Sequence, residues 1–196
     1  NNAFNRHPLL LSYLDRPGVI DLVEAIHGED AHVIGMTIWL TGPGRPEQTL
    51  HADWQPLRLP ENVMEDDRVQ IPMYISTMHY YLDDITTDLG PTHFVPGSHR
   101  AGRPPEGDTT FQGRGEQAIM CNAGDGLLFR SEVWHRGTAN TSDRMRYLLQ
   151  VHYAQRMITQ KFPPYPHGFR FDDKILAQAN PRQRRLLGDH KKSNYD

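Results

Sequence analysis

The chain has 196 residues, a formal net charge of −3 at pH 7 and one cysteine, Cys121. This length predicts a single domain with a core of its own, and the slightly acidic balance excludes a general nucleic-acid binder. One cysteine excludes an internal disulfide and a cysteine-rich zinc cluster, and it fits a reducing compartment.

The sequence also carries no membrane or export signal. No apolar run approaches the roughly 20 residues that span a bilayer, and the first residues lack a signal-peptide pattern. We therefore expect a cytoplasmic protein that acts on a small molecule, with no membrane or nucleic-acid partner. The first residue is Asn1 and not methionine, which leaves room for further residues before it.

The predicted elements begin with a helix and continue as strands. Apolar residues recur at helical spacing over 17–26, and Gly28 is a plausible stop. The chain then changes to β-branched and aromatic runs separated by Gly, Pro, Asn and Asp, which favours a mainly β core. These strand-like runs are 31–40, 68–83, 126–135 and 144–153.

Four further segments are predicted to be loops or short elements. The polar stretches 56–67 and 100–117 are candidate loops at the mouth of a site. A Pro-rich loop follows at 161–169, and Asn180 is placed to cap a short helix that ends before Gly188.

Two residues in "QTLHADWQPL" are candidate metal ligands. His51 and Asp53 are two positions apart, and such residues project from the same side of an extended strand about 6.5–7 Å apart along the backbone. An imidazole and a carboxylate can then meet at one metal ion. The alternative is a simple ion-paired couple on a surface strand.

A second candidate pair lies in "GDGLLFRSEVWHRGTANTSDRMRYLLQVHY". The turn-favouring "TANTSD" predicts a β-hairpin centred between Asn140 and Thr141. His135 and Arg146 would then be cross-strand neighbours, with Cβ atoms roughly 4.5–5.5 Å apart. Arginine is suited to holding a carboxylate through two hydrogen bonds. The alternative is a structural histidine and a surface cation.

Together these residues suggest one site. Two histidines and one carboxylate form the facial triad that binds Fe(II) and leaves coordination positions open. His51, Asp53 and His135 would supply the triad, and Arg146 would hold the far carboxylate of a cosubstrate that chelates the iron.

A family resemblance rests on the order of three blocks. "HAD", "LDDITTDLGPTHFVPGSH" and "GDGLLFRSEVWHRGTANTSDRMRY" resemble the phytanoyl-CoA dioxygenase family of iron- and 2-oxoglutarate-dependent oxygenases, over about residues 34–153. The resemblance implies a double-stranded β-helix, or jelly roll, with flanking helices, as the core of one domain over 1–196. The predicted C-terminal loop and short helix occupy 154–196. It also implies Fe(II) at His51, Asp53 and His135, and 2-oxoglutarate at Arg146.

The chain departs from the family at two places. It has "TDLGP" where relatives often have an acidic-Asn-Gly-Pro stretch, and Gly137 where they often have serine. Thr138 is therefore the candidate for the missing hydroxyl contact to 2-oxoglutarate. Gln48, three residues before His51, is a candidate for a second contact to the cosubstrate or to the substrate. The "VPGSH" block is similar to a structural motif of the relatives, so Ser98 and His99 are not counted as catalytic.

The resemblance implies oxidation of a substrate by O2, coupled to the conversion of 2-oxoglutarate into succinate and CO2. Hydroxylation of a small metabolite or natural-product intermediate is the expected outcome, and Asp53 disfavours halogenation because halogenating relatives lack this carboxylate. Desaturation, epoxidation and ring rearrangement use the same ligands and stay open, as does an acyl thioester as substrate. Two alternatives of a different class also stay open. One is a jelly-roll metalloenzyme without 2-oxoglutarate, such as a ring-cleaving dioxygenase or an isomerase, which gives Arg146 no role. The other is a non-catalytic ligand-binding module, which an intact triad argues against.

Overall fold

A computed structural model describes residues 1–55, 58–162 and 168–191. These residues are mainly β, as predicted. The strands are β1 His32–Thr41, β2 Ile75–Tyr81, β3 Thr92–Phe94, β4 Gln117–Ile119, β5 Gly126–Arg130, β6 His135–Gly137 and β7 Arg146–Ala154. The α-helices are α1 Val19–His27, α2 Glu61–Met64, α3 Asp173–Leu176 and α4 Pro181–Leu186. Short 3-10 helices form at Ala3–Asn5, Pro8–Tyr13 and Ser98–Ala101.

The strands form two sheets. The four-stranded sheet has the order β1-β7-β2-β5, and the three-stranded sheet has the order β4-β3-β6. The pairing in the smaller sheet is antiparallel, and it places Thr92 opposite Gly137 and Phe94 opposite His135. Four of the seven strands lie in the second half of the chain. Two of these begin at candidate site residues, β6 at His135 and β7 at Arg146.

The chain divides into two compact units. The first comprises Asn1–Ile38, Met73–Met78 and Gln150–Asp196, and the second comprises Trp39–Pro72 and His79–Leu149. Strands β1, β2 and β7 run from one unit into the other along the chain. The expectation that residues 1–196 form a single domain stays a prediction.

In the first unit, helix α1 forms where the apolar spacing predicts it. Ile20, Val23 and His27 make its buried stripe, which is the i, i+3, i+7 pattern of a helix packed on one side. Leu22, by contrast, is 56% exposed. The helix ends at Gly28, whose N–H donates to the carbonyl of Glu24 at 2.9 Å.

The predicted cap at Asn180 also forms. Its side-chain oxygen accepts from the N–H of Gln183 at 2.8 Å, and the Gln183 side chain accepts from the N–H of Asn180 at 3.0 Å. This reciprocal pair is a capping box, and it satisfies donors that helix α4 would otherwise leave open. Of the predicted Pro-rich loop at 161–169, positions 163–167 lie outside the described residues.

In the second unit, a short extended segment runs beside β6 and carries two candidate ligands. Gln48 N–H donates to Gly137 O at 2.9 Å, and His51 and His135 exchange backbone hydrogen bonds of 3.0 and 2.8 Å. Asp53 N–H then donates to Ser131 O at 3.1 Å. These bonds fix the register of the His51–Asp53 segment against the strand that begins at His135.

The predicted hairpin between His135 and Arg146 is wrong. β6 pairs with β3, whereas β7 belongs to the four-stranded sheet. The connection between them is bonded to another loop: Thr138 N–H donates to Pro91 O at 3.1 Å, and Thr141 N–H donates to Asp88 O at 2.8 Å. Turn-forming residues predict a change of direction, but they do not specify which strand the chain pairs with afterwards.

The two predicted loops of this unit contact each other. The guanidinium of Arg100 donates to the carbonyl of Met64 at 2.7 Å, and the first of these loops contains helix α2. Pro56 and Leu57, at its start, lie outside the described residues. Within the part of the chain that is described, no helix combines the length and apolar character needed to cross a membrane.

Candidate metal centre

His51, Asp53 and His135 come together in the second unit. One potential ligand atom from each lies within 4.8 Å of the others, and no other group of three or more His, Cys, Asp or Glu residues in the described ranges meets this condition. His51 Nε2 lies 3.8 Å from Asp53 Oδ1, and His135 Nε2 lies 3.8 Å from Asp53 Oδ2. The structure thus brings the three predicted residues together, while their role as ligands stays a prediction.

Backbone carbonyls orient both imidazole rings. His51 Nδ1 donates to Thr49 O at 2.8 Å, and His135 Nδ1 donates to Val133 O at 2.9 Å. Because a carbonyl can only accept, the proton of each neutral ring is assigned to Nδ1, and each Nε2 keeps a free lone pair. This is the arrangement that metal-binding histidines adopt, since the second nitrogen sets the tautomer and the ring orientation.

The two rings differ in exposure. His135 is 4% exposed, stacks on Phe94 with ring centroids 5.4 Å apart and meets the edge of Phe129 at 5.2 Å. Burial lowers the pKa of His135, although the nearby Asp53 carboxylate acts in the opposite direction. The side chain of His51 is 37% exposed, so the site has one closed apolar side and one open side.

The donor atoms fit a divalent cation. Asp53 Oδ2 is buried and has no hydrogen-bond partner, and the two histidine Nε2 atoms that face this carboxylate are both acceptors. Converging lone pairs with no proton between them are unfavourable in a partly buried site. A cation relieves this repulsion, and two imidazole nitrogens with one carboxylate oxygen are the ligand set of non-haem Fe(II) sites.

Arg146 places a buried cation beside β6. The residue is 6% exposed; its Nη1 donates to the carbonyl of Gly90, and its Nη2 donates to Thr41 Oγ1 at 3.3 Å. Nε is buried and has no partner. Burial lowers the pKa of Arg146, while Tyr81 and Asp83 act in the opposite direction; an arginine nevertheless stays charged in a protein.

Gly137 is where Gln48 and Arg146 approach each other. A Cβ atom at Gly137 would lie 3.0 Å from Gln48 Oε1 and 3.6 Å from Arg146 Nη2. Gln48 Oε1 accepts from the N–H of Gly137 at 2.8 Å. This bond uses Oε1 as an acceptor, so it leaves the two N–H groups of the Gln48 amide unused.

Thr138 was predicted to contact 2-oxoglutarate, but its hydroxyl is bonded within the protein. Its hydroxyl donates to the carbonyl of Pro91 at 2.8 Å. The single hydroxyl proton is therefore used within the protein, and the geometry gives no support to Thr138 as a donor to a cosubstrate.

Sequence reasoning missed Thr92 and Tyr81. Thr92 lies opposite Gly137 in the sheet, and its Oγ1 accepts from the Tyr81 hydroxyl at 3.3 Å. Burial raises the pKa of Tyr81 to about 12, which keeps this donor protonated. A threonine hydroxyl that accepts a bond still has its own proton to donate. Thr92 stands directly after "GP" and before the "VPGSH" block, and nothing in its residue type or spacing marks it as a site residue.

Ser98 has the structural contact expected of the "VPGSH" block. Its buried Oγ accepts from the backbone N–H of Trp134 at 2.8 Å, one residue before His135. The neighbouring His99 has its pKa lowered to about 4, first by burial and then by the charges of Arg130 and Arg100.

The two sheets and this donor set fit one class, the metal-binding proteins of the double-stranded β-helix type. The sequence model of the phytanoyl-CoA dioxygenase (PhyH) family matches residues 2–148, about three quarters of the chain. The chain belongs to this family. The match begins at residue 2, so the family signal starts about thirty residues earlier than predicted.

Individual relatives agree with this assignment. An uncharacterized Mycobacterium tuberculosis protein is 25% identical over 184 residues, which are 92% of this chain and 63% of the relative. An Fe(II)/2-oxoglutarate-dependent dioxygenase of Aspergillus novofumigatus is 28% identical over 147 residues, 74% of this chain and 45% of the relative. The chain thus spans less than two thirds of these relatives.

A solved structure confirms the predicted fold class. The non-haem alpha-ketoglutarate-dependent epimerase SnoN from nogalamycin biosynthesis superposes with a TM-score of 0.63 at 19% identity, over 79% of this chain and 59% of the epimerase. At this identity the likeness shows the fold, which is the predicted jelly roll.

Proposed function

We propose that this protein is an Fe(II)- and 2-oxoglutarate-dependent oxygenase that acts with O2 on a small-molecule substrate. The observation that carries the proposal is the convergence of three acceptor atoms, from His51, Asp53 and His135, in the same unit as the buried cation Arg146. Membership of the family and the A. novofumigatus relative support it.

His51, Asp53 and His135 would hold the iron. When bound, Fe(II) supplies the activation of O2 that is coupled to conversion of 2-oxoglutarate into succinate and CO2. The chain's own part is to hold the ligands ready. The carbonyls of Thr49 and Val133 keep both Nε2 lone pairs free, so no proton has to leave a ring before the metal enters.

Arg146 would bind the distal carboxylate of 2-oxoglutarate. A buried guanidinium that still has N–H groups without an acceptor is suited to binding a carboxylate, because the charge-assisted hydrogen bonds offset the cost of burying the cation. The NH2 group of Gln48 and the hydroxyl of Thr92 are the further donors that we assign to this carboxylate. Arg146 Nη2 and the Gln48 side chain both lie close to Gly137, and Thr92 is the partner of Gly137 in the sheet.

The surroundings favour oxidation of a small organic molecule. Phe94 and Phe129 close one side of His135 with apolar rings, which excludes water from that side of the reaction. The partly exposed His51 marks the side from which a substrate can approach. SnoN has been solved with Fe3+, alpha ketoglutarate and nogalamycin RO, and we propose a natural-product intermediate or another small metabolite here, with hydroxylation as the outcome.

The net charge of −3 weighs against a nucleic-acid substrate, and a lone free thiol at Cys121 fits action in the cytoplasm. An iron enzyme without 2-oxoglutarate would give no reason for a buried, incompletely bonded guanidinium at Gly137. A non-catalytic module would leave the orphaned Asp53 oxygen without a function.

Turnover of 2-oxoglutarate tests this proposal. Purified protein supplied with Fe(II), 2-oxoglutarate and O2 should form succinate, and a substrate found by screening small natural products should raise the rate. Succinate is quantified by mass spectrometry, with Asp53→Ala protein as the control. Binding of iron without any succinate above that control, across the screen, would contradict the proposal and favour an iron enzyme of another type.

A further inference from the structure

The side chain of Arg146 is held from two directions by the protein itself. Nη1 donates to the backbone carbonyl of Gly90, and Nη2 donates to the hydroxyl of Thr41 at 3.3 Å. Each Nη carries two N–H groups, so one on each nitrogen remains, together with the buried Nε–H that has no partner. The guanidinium is thus fixed in place before any ligand binds, with donors to spare.

We propose that Thr41 is a positioning residue for the 2-oxoglutarate anchor. Its hydroxyl sets the plane of the Arg146 guanidinium, so that the remaining N–H groups face the space beside Gly137. This inference rests on the proposed function, because it assumes that Arg146 binds 2-oxoglutarate. It concerns a residue that would not touch the cosubstrate and that sequence reasoning did not single out.

Thr41 can do this because it is itself fixed. It is the last residue of β1, and its carbonyl accepts from Asn140 Nδ2 at 2.9 Å. Asn140 is fully buried; Nδ2 also donates to Arg144 O at 2.8 Å, and Oδ1 accepts from the hydroxyl of Ser142 at 2.7 Å. The end of β1 is therefore tied to the turn that leads into Arg146, which sets the position of the Thr41 hydroxyl relative to that guanidinium.

The other contact of the Arg146 guanidinium, to Gly90, is made by a backbone carbonyl. Gly90 has φ +79, and a Cβ there would lie 2.7 Å from the carbonyl oxygen of Thr138. Only glycine fits this position without a backbone shift. Of the two contacts that hold the guanidinium, the one to Thr41 is therefore the one that a substitution can remove without disturbing the main chain.

The advantage of a fixed guanidinium is entropic. Freezing a long, flexible side chain costs free energy when a ligand has to do it, and a side chain already held in its binding geometry avoids that cost. Loss of the Thr41 contact also leaves a buried charged donor without its acceptor. The free energy of one hydrogen bond to a charged group corresponds to a change in affinity of about tenfold or more.

The test compares Thr41→Val, which keeps the shape but lacks the hydroxyl, with Thr41→Ser, which restores it. The Fe(II) protein is titrated with 2-oxoglutarate without oxygen, following the visible charge-transfer band of the chelate. Thr41→Val should raise the apparent dissociation constant for 2-oxoglutarate about tenfold, with Fe(II) affinity unchanged, and Thr41→Ser should titrate like the wild type. Thr37→Val is the matched control, because Thr37 lies on the same strand and its hydroxyl donates to Asn1.

A Thr41→Val protein that titrates like the wild type, with at most a lower melting temperature, would overturn the inference and leave Thr41 a structural residue only. If that variant does not fold, Thr41→Ala removes the same hydroxyl without adding a methyl group. Absence of the band in the wild type itself would instead refute the proposed function, and the inference with it.

Discussion

Asp53→Ala is expected to abolish Fe(II) binding and all succinate formation. Asp53 is the only anionic member of the candidate triad. In other proteins, loss of a residue that merely hydrogen-bonds to a metal ligand already lowers metal affinity about 10- to 100-fold. We expect a loss of at least about 100-fold, measured by anaerobic equilibrium binding of Fe(II) and by metal content.

The same substitution should not destabilise the metal-free fold. The Oδ2 atom of Asp53 is buried without a partner, and an unsatisfied buried polar group costs about 1–3 kcal/mol. Thermal unfolding of metal-free Asp53→Ala should therefore occur at or above the wild-type temperature. Asp67→Ala is the matched control, since the side chain of Asp67 is 100% exposed in the same unit. Wild-type iron affinity in Asp53→Ala would remove this residue from the site.

Arg146→Lys is expected to weaken binding of 2-oxoglutarate by about 100-fold while Fe(II) affinity stays within about twofold of the wild type. Lysine keeps the charge but loses the planar fork, so it cannot bond to Gly90 and Thr41 and still present paired donors to a carboxylate. The measurement is the 2-oxoglutarate concentration that half-saturates the charge-transfer band.

The control for this variant is Arg144→Lys. Arg144 is exposed and lies two residues before Arg146, so it tests whether any cation near this turn affects the cosubstrate. If Arg146→Lys and Arg146→Ala both bind 2-oxoglutarate with wild-type affinity, Arg146 has no role in holding it. The alternative of an iron enzyme without 2-oxoglutarate would then become the better account.

Local features of the site could be predicted from the sequence. The two-residue spacing of His51 and Asp53 places both on one side of an extended segment, and hydrogen bonds to β6 hold that segment in register. The cap at Asn180 is equally local, since it depends on residues within one helical turn. Such predictions depend on backbone geometry that neighbouring residues determine between them.

Non-local features could not be predicted in the same way. The approach of Arg146 to β6 was anticipated, but through a hairpin that does not exist. The actual cause is that the chain changes sheets after Gly137 and that Arg146 reaches back to Gly90 and Thr41. Residues symmetric about a turn are neighbours only if the two strands pair, and sequence spacing does not determine pairing.

Thr92 and Tyr81 illustrate a second limit. Their hydroxyls meet because β3 lies beside β6 and a buried tyrosine on β2 reaches Thr92. Neither residue type nor spacing indicates this meeting, since Tyr81 and Thr92 are eleven positions apart in a stretch of mixed apolar and turn residues. The polar contacts around Gly137 therefore required the tertiary structure.

The most direct test of the account is an anaerobic titration of the wild-type apo-protein with Fe(II) and then with 2-oxoglutarate. We predict one Fe(II) per chain and, on addition of 2-oxoglutarate, the weak visible charge-transfer band that marks its chelation to the iron. Iron binding without the band would contradict the role of 2-oxoglutarate, and no iron binding at all would contradict the metal centre of His51, Asp53 and His135.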